Sequence, residues 1–377
     1  RITKKLNLST TTDGFLMPRL TTAQKLAIST PDTHLMVFDT ELSTIERWDG
    51  FKWVTQSGMG ALGISGAGGD YTYYSDYNTA IAAASSGDTI EQFGNIIETG
   101  AVAVDITKNL TIQMNGYSYT LDNAGTDRAF TVTGVSLTDI KILNGTINRI
   151  NGTGGGALAL NQNTTTKPTI SLEGTTLYCD LVGNQTLLYV NSNYTVIGGL
   201  FKGPGDLLLD TDSTLTNFVY NGEGSVRAFR AGVMISNGYI FSTSGGLVVS
   251  DGAGASNITA KCTGIAINNA GNISNCEGYS IGSAGCYSSG TTGKFVNCYA
   301  ESGLDTTNGH AFEMASGQAK FINCTGKVKN SGAFGIKGSS ATASIVNFSG
   351  IGMTSLFDGV TNAQIETTDA YGNVLVV

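Results

Sequence analysis

Four pentapeptides near the C-terminal end of the chain follow one pattern. They read NISNC, KFVNC, KFINC and SIVNF, begin at Asn272, Lys294, Lys320 and Ser344, and recur every 22 to 26 residues. A recurrence of this length is typical of a solenoid, in which each repeat forms one coil stacked on the next. Within each pentapeptide the apolar and polar positions alternate as in a strand that enters a turn. The sequence therefore predicts an all-β chain folded as a parallel β-helix.

The fourth and fifth positions of these repeats form two columns. Asn occupies the fourth position in every repeat, and Cys occupies the fifth in three of them: Asn275, Asn297, Asn323, Asn347 and Cys276, Cys298, Cys324. Equivalent residues of neighbouring coils lie about 4.8 Å apart. We expect buried Asn amides that donate to the Asn carbonyl of the adjacent coil, because an unsatisfied buried amide costs about 1 to 3 kcal/mol. We expect both columns to point inward.

All six cysteines follow the coil repeat rather than a pattern of paired loops. They are Cys179, Cys262, Cys276, Cys286, Cys298 and Cys324. We interpret them as free buried thiols, although one strand spacing is short enough for a vertical disulfide. The chain has no CxxC motif and only two His, so no structural zinc site and no other metal site is predicted.

Composition supports a solenoid and excludes some partners. Gly accounts for 51 of 377 residues, Pro for 4, and charged residues for 13%. Gly and Asn suit the tight turns that each coil requires. The net charge of −8 and the absence of a Lys/Arg cluster argue against nucleic acid as a partner. No apolar run reaches 18 residues, so membrane insertion is not predicted. The chain begins at Arg1, which we interpret as a processed or truncated start.

Three parts of the chain differ in character. The stretch from Gln56 to Gly69 is rich in Gly and marks a boundary. A short helix is predicted after it, because Tyr77, Ile81 and Ala84 lie at helical spacing, and such a helix would cover the open first coil. The predicted domains are an attachment and trimerisation module (1–56), a linker (57–70), and a β-helix of eleven or twelve coils (71–377) with caps at 71–90 and 364–377.

Two segments resemble known families. The helix and the GDTI and KNLTI stretches between Tyr74 and Ile112 resemble the start of pectate-lyase-like right-handed parallel β-helices, a superfamily that includes polysaccharide-degrading enzymes and phage tailspikes. The segment 13–54 is similar to a module of phage tail-fibre and surface proteins of Bacteroidetes and their phages. That module contains a Gly-Phe-Leu-x-Pro-Arg-Leu-Thr stretch, here Gly14 to Thr21, and a Trp-Asp-Gly hairpin, here from Trp48.

The second resemblance implies a role for the N-terminal module. A module of this size buries little apolar surface alone, so we expect a homotrimer that joins other virion proteins. Arg19, Trp48 and Trp53 are its candidate functional residues. The two Trp are the only ones in the chain. They are interpreted either as packed core or as a carbohydrate platform. Asp49 and Gly50 predict a two-residue hairpin turn between them.

The first resemblance raises the question of catalysis. Asp206, Asp210 and Asp212 form the best acidic group, and a pair two residues apart could fit the carboxylate spacing of a glycoside hydrolase. Arg227 and Arg230 are only faintly similar to the spaced arginines of pectate lyases. The alternative interpretation is a solvated turn next to surface arginines. No cofactor is predicted.

Counting from the Cys column places Tyr279, Glu301 and Lys327 above one another on an outer wall, and Lys294 above Lys320. Longer turns interrupt these coils at 282–293 and 301–311, and such loops often carry binding residues. The candidate glycan or receptor-binding residues are Tyr287, Tyr299, Glu301, Asp305 and His310. A merely decorated surface is the alternative.

These features predict an extracellular virion protein, a trimeric tail spike or tail fibre segment. It would attach to the phage particle and present its β-helix to a host surface polysaccharide or receptor. Two alternatives remain open: a polysaccharide depolymerase, either hydrolase or lyase, that uses the same β-helix, and a bacterial cell-surface adhesin.

Overall fold

The structure is a computed structural model. It describes residues 18–32, 35–41, 44–48, 53–55, 61–65, 71–100, 103–134, 136–161, 167–180, 186–191, 193–289, 293–303, 310–315, 318–329, 334–351, 355–360, 364–368 and 374–376. Strands form nearly all of its secondary structure, and the only helices in these ranges are Thr22–Leu26 and Tyr77–Ala83. The predicted all-β class is confirmed.

The first strands form a small separate sheet. They are Arg19–Leu20, Met36–Asp39, Thr44–Trp48 and Trp53–Thr55. The first pair is parallel, and the other two pairs are antiparallel. Trp48 lies opposite Trp53. Asp49 and Gly50, for which a two-residue turn is predicted, lie outside the described residues. The N-cap of helix Thr22–Leu26 is Thr21, which forms a capping box with Gln24.

Within the stretch predicted as a flexible linker, Leu62–Ser65 is a strand. It pairs antiparallel with Tyr71–Tyr74 and with Thr89–Gln92. Leu62 is fully buried in the β-helix core. This part of the stretch is therefore ordered against the first coil.

The β-helix has about twelve coils, as predicted, and its strands form three parallel rows. We call them sheets 1, 2 and 3 in the order in which each coil visits them. Five long strands contribute to both sheet 1 and sheet 2: Thr169–Cys179, Thr195–Gly203, Thr214–Gly222, Met234–Ser242 and Gly254–Cys262.

The other strands belong mostly to one sheet. Sheet 1 also contains Thr89–Gln92, Thr111–Gln113, Asp139–Leu143, Asn272–Ser274, Lys294–Val296, Gln318–Ile322 and Gln364–Thr368. Sheet 2 also contains Ile96–Glu98, Ser118–Asp122, Thr146–Ile150, Glu277–Ser280, Tyr299–Ser302, Thr325–Val328 and Ser349–Ile351. Sheet 3 contains Val104–Ile106, Phe130–Val132, Leu158–Leu160, Thr186–Val190, Asp206–Leu209, Val226–Ala228, Leu247–Val249, Ile267–Asn269, Cys286–Ser288, Phe312–Met314 and Ser355–Val360. Phe334–Val346 runs from sheet 3 into sheet 1, and Val374–Val376 pairs antiparallel with Gln364–Thr368.

The core is a stack of inward side chains, because alternate residues of each strand point inside the coil. Ile90, Ile112 and Ile142 lie above one another in sheet 1 and are fully buried. Further along, the rings of Phe295 and Phe321 stack with centroids 5.1 Å apart. This stacking holds the coils in register, since a slip of one residue would turn the apolar side chains outward.

The Asn column lies at the corner between sheets 1 and 2. Asn275, Asn297, Asn323 and Asn347 all have φ of 51 to 52°, a left-handed conformation that Asn tolerates better than most residues. The predicted ladder is present: the Asn297 amide donates to Asn275 (3.2 Å), and Asn323 donates to Asn297 (3.1 Å). The expected burial is wrong, because these side chains are exposed. The backbone turns here, and the Asn side chains therefore project outward.

The pentapeptides reveal only part of this column. Asn217, Asn237 and Asn257 occupy the same corner in the three preceding coils, also with positive φ. The Asn257 amide donates to Asn237 at 3.0 Å. The following residue points inward, and the predicted inward orientation of Cys276, Cys298 and Cys324 is confirmed. All six cysteines are free and buried, and burial raises the pKa of Cys276 to about 12.

Helix Tyr77–Ala83 covers the first coil, as predicted. Its N-cap is Asp76, which accepts from the Thr79 backbone N–H at 2.8 Å. Tyr77 and Ile81 are buried, and the Tyr77 ring lies 5.2 Å from that of Phe130. At the other end, the Lys108 ammonium donates to the carbonyls of residues 81, 82 and 84, which satisfies acceptors left free by the helix.

Candidate functional site

The outer wall of sheet 2 carries the predicted column. Tyr279 pairs with Glu301, and Glu301 pairs with Lys327. Lys294 likewise pairs with Lys320 on sheet 1. Both predicted stackings are confirmed. In the opposite direction the sheet 2 column continues from Tyr279 to Lys261 and then Phe241.

A surface groove of about 460 Å³ runs beside this column. We call it the sheet 2 groove; it is lined by Phe241, Lys261, Tyr279, Ile281, Glu301 and other residues of the same coils. Phe241 and Ile281 are exposed at 42% and 69%. Exposed apolar side chains that are grouped together often mark an interaction site, and a groove with apolar walls and a few charged groups is typical of a binding site.

Charged and aromatic groups along the sheet 2 groove contact one another. The Lys261 ammonium lies 4.9 Å from the centre of the Tyr279 ring, within cation–π distance. The Tyr279 and Tyr299 rings are 5.5 Å apart. The Tyr279 hydroxyl donates to Glu277 at 3.0 Å. These contacts fix the orientation of both tyrosine rings, which reduces the entropy lost when a ligand binds.

Glu301 accepts hydrogen bonds on both carboxylate oxygens. Tyr299 donates to Oε2 at 2.7 Å, and Lys327 donates to Oε1 at 3.0 Å. Burial alone would raise the pKa of Glu301, but these two hydrogen bonds and the charges of Lys327 and Lys261 lower it below its usual value. Glu301 is therefore ionised at neutral pH and oriented by its neighbours.

The Glu301 contacts predict a pH-dependent contribution to stability. A lowered carboxyl pKa stabilises the fold above the ordinary pKa of 4.5, and this contribution is lost as the pH falls through the folded-state pKa. Because Lys327 is 44% exposed, we expect Glu301→Gln to cost at most about 1 kcal/mol at pH 7. The cost should shrink toward pH 3, as measured by thermal unfolding across pH. A cost that is constant with pH would contradict this assignment.

The predicted binding residues do not lie together. Glu301 lines the sheet 2 groove. Tyr299 does not line it but lies beside it, where its ring contacts that of Tyr279 and its hydroxyl donates to Glu301. Tyr287 is on strand Cys286–Ser288 of sheet 3, opposite Glu313, and so belongs to another face. His310 is 1% exposed, which makes it inaccessible to a polymer and is contrary to the expectation of an exposed loop. Asp305 lies outside the described residues.

The weak catalytic candidates belong to sheet 3 and its edge. Asp206 pairs with Arg227 at 3.2 Å, and Asp210 pairs with Arg230 at 2.9 Å. Asp212 is exposed in a turn with φ of 54°, so the i, i+2 geometry of an extended strand does not apply to it. The arginines and aspartates form ion pairs between neighbouring coils, which is consistent with the interpretation of this segment as a surface turn.

Counting the register farther back would have identified Phe241 and Lys261. They precede the pentapeptides, and their coils lack the Cys column from which the sequence count began. The Asn column continues into both coils through Asn237 and Asn257. The recurring Asn is therefore the sequence signal that extends the register back to Phe241 and Lys261.

In the N-terminal module, Trp48 and Trp53 pack edge to face with centroids 5.5 Å apart, and the Arg19 guanidinium lies 4.6 Å from the centre of the Phe38 ring.

Among the described residues, no group of three His, Cys, Asp or Glu is placed to hold a metal ion. In the same ranges no helix has the length and hydropathy needed to cross a membrane.

Comparison with known proteins relates the two parts of the chain to different groups. Residues 3–69 match the family described as a phage tail like trimerisation region. This match confirms the predicted phage tail-type module and supports a homotrimer. The boundaries at 56 and 70 stay predictions. The search of curated proteins found no match.

Solved structures resemble the β-helix. The A-module of mannuronan C-5 epimerase AlgE4 from Azotobacter vinelandii is 12% identical, with a TM-score of 0.54 over 76% of this chain and 94% of that chain. The similarity shows a shared fold. A mutant tailspike protein of E. coli bacteriophage HK620 is 10% identical, with a TM-score of 0.38 over 78% of this chain and 75% of that chain. The chain thus carries a phage tail-like trimerisation region ahead of a parallel β-helix, the organisation that its sequence predicted for a tail spike or tail fibre protein.

Proposed function

We propose that the chain forms a trimeric tail spike or tail fibre segment of a phage virion and binds a polysaccharide of the host envelope. The N-terminal module would join it to the particle, and the β-helix would hold the sheet 2 groove away from the particle. The match of residues 3–69 to a phage tail like trimerisation region is the observation that carries this proposal.

The sheet 2 groove suits a sugar polymer because its wall combines oriented aromatic rings with charged hydrogen-bonding groups. Aromatic rings pack against the apolar faces of sugar rings, while charged groups hydrogen-bond to hydroxyls. The repeating coils place such groups along one line at about 4.8 Å intervals. A linear polymer lying along this line would meet one outward side chain of the column at every coil.

Binding without cleavage is the activity that we propose for this site. A general acid in a glycoside hydrolase requires a raised pKa, whereas the pKa of Glu301 is lowered. Each of Asp206 and Asp210 is engaged by an arginine. A depolymerase would release new reducing ends or unsaturated sugars from host polysaccharide, and their appearance would overturn this part of the proposal.

Replacing Tyr279 by Ala tests the groove. Loss of an oriented ring should weaken binding to host cells or their purified polysaccharide by about tenfold, corresponding to ~1.4 kcal/mol. Tyr287→Ala is the matched control, since it removes the same side chain from sheet 3, and it should bind as the unmodified protein does. Titration calorimetry measures both.

Light scattering tests the assembly independently. The mass should be three times the chain mass of 39.1 kDa. A monomer at micromolar concentration would contradict the trimer.

For the binding test, equal loss of binding in the Tyr279→Ala and Tyr287→Ala variants would contradict the choice of groove.

A further inference from the structure

The column beside the sheet 2 groove carries lysines at a regular interval. Lys202, Asn221, Phe241, Lys261, Tyr279, Glu301 and Lys327 occupy equivalent positions in seven successive coils. Every third position is therefore Lys. With one coil per ~4.8 Å, successive lysines are spaced about 14 Å apart along the axis.

The three lysines of the column differ in the contacts that their ammonium groups make within the protein. Lys327 forms an ion pair with Glu301. None of the salt bridges between described residues involves Lys202 or Lys261, and Lys202 is exposed. The Lys261 ammonium contacts the face of the Tyr279 ring. This contact involves only one side of the ammonium, so N–H donors of Lys261 that point away from the ring stay able to form hydrogen bonds. The charge of Lys261 also acts on Glu301 in the same groove, but no salt bridge between them occupies the ammonium. Lys261 is thus a cation held in place in the groove and able to bind an anion.

The charge of the column is opposite to that of the whole chain. Three lysines and one glutamate give these seven positions a positive excess, while the chain has a net charge of −8. Glu277 lies beside the column and accepts from the Tyr279 hydroxyl. A neutral polymer would gain ring packing and hydrogen bonds to its hydroxyls from such a column, but no attraction between opposite charges. A polymer with carboxylates would gain charge-assisted hydrogen bonds at Lys261 and longer-range attraction from Lys202.

We propose that the sheet 2 groove binds an acidic polysaccharide, with a carboxylate of the ligand at Lys261 and the polymer parallel to the β-helix axis. This inference rests on the proposed polysaccharide-binding function and specifies the chemical class of ligand. A sugar unit is about as long as one coil spacing. The interval of the lysines therefore fits a polymer whose acidic sugar recurs about every third unit.

The test uses the full-length chain and a panel of immobilised bacterial capsular polysaccharides, both neutral and uronic-acid-containing. We expect binding to acidic members of the panel, with affinity that falls as salt rises. Chemical reduction of the carboxyl groups of a bound polysaccharide to alcohols should weaken binding about tenfold or more. The reduced polymer keeps its backbone, so it is a matched neutral probe.

Variants separate charge from packing at Lys261. Lys261→Gln should weaken binding to the acidic polymer about tenfold, while Lys261→Arg should retain it, because Arg keeps the charge and can also lie over the Tyr279 ring. Lys294→Gln, on sheet 1, is the matched control and should bind normally. Circular dichroism confirms that each variant is folded.

Two negative results have different meanings. Binding that survives carboxyl reduction, or that Lys261→Gln leaves unchanged, would overturn the acidic ligand while leaving polysaccharide binding in place. Failure to bind any member of the panel, acidic or neutral, would overturn the proposed polysaccharide-binding function together with this inference.

Discussion

Replacing Arg149 by Met is expected to lower the free energy of unfolding by about 3 to 5 kcal/mol. Arg149 is fully buried, and its guanidinium donates to the carbonyls of Asn123 (2.9 Å), Gly125 (2.8 Å) and Asp127 (2.7 Å). It also donates to the Ile150 carbonyl and to the Asn123 side chain. Removing the guanidinium leaves several half-buried acceptors without their donor at once, and an unsatisfied acceptor that is fully buried costs about 1 to 3 kcal/mol.

The measurement is the unfolding temperature by circular dichroism, together with the rate of proteolysis in the loop 123–127. Arg230→Met is the matched control, because Arg230 is 64% exposed and makes a surface pair with Asp210. Its cost should stay below about 1 kcal/mol. Equal unfolding temperatures for the two variants would show that Arg149 does not organise this loop.

Replacing Lys25 by Met is expected to destabilise the N-terminal module by about 3 to 5 kcal/mol and to reduce trimer formation. The Lys25 ammonium contacts Asp39 at 2.7 Å and also Glu46, and all three side chains are buried. Burial alone would lower the pKa of Lys25, but the hydrogen bonds and charges of Asp39 and Glu46 raise it above its usual value. In the variant, two buried carboxylates lose this cation.

A raised lysine pKa stabilises the fold fully below the ordinary value of 10.5, so the effect of Lys25→Met should be complete at pH 7 and should diminish only as the pH rises above that value. Tryptophan fluorescence follows unfolding of this module alone, since Trp48 and Trp53 are the only tryptophans. Lys320→Met, on the outer wall of the β-helix, is the control. An unchanged fluorescence transition in Lys25→Met would refute the stabilising role.

Where the repeat is regular, the sequence determines which residues lie above one another. Tyr279, Glu301 and Lys327 were aligned by counting from the Cys column, and the structure pairs them as expected. His310 is buried, contrary to the prediction, because it lies next to a strand that packs into the core, Phe312–Met314. A sequence read as a loop does not reveal which of its residues are covered by the next coil.

The Asn column shows the same limit at the level of the backbone. Its recurrence and its side-chain hydrogen bonds follow from the sequence, since residues repeated once per coil must stack. Its exposure depends on φ near +50° at the corner of sheets 1 and 2. That conformation turns the side chain outward, and a strand-like alternation pattern does not contain this information.

The sequence by itself determined the parallel β-helix, the inward Cys column, the capping helix and the phage tail-type module. These features depend on periodicity and local residue preferences, which are written along the chain. The tertiary structure alone decided that Phe241, Lys261 and Tyr279 share a groove with Glu301, and that Arg149 and the Lys25 cluster are buried. Such contacts join residues that are distant in the chain, and only the packing of coils and strands determines their distances and burial.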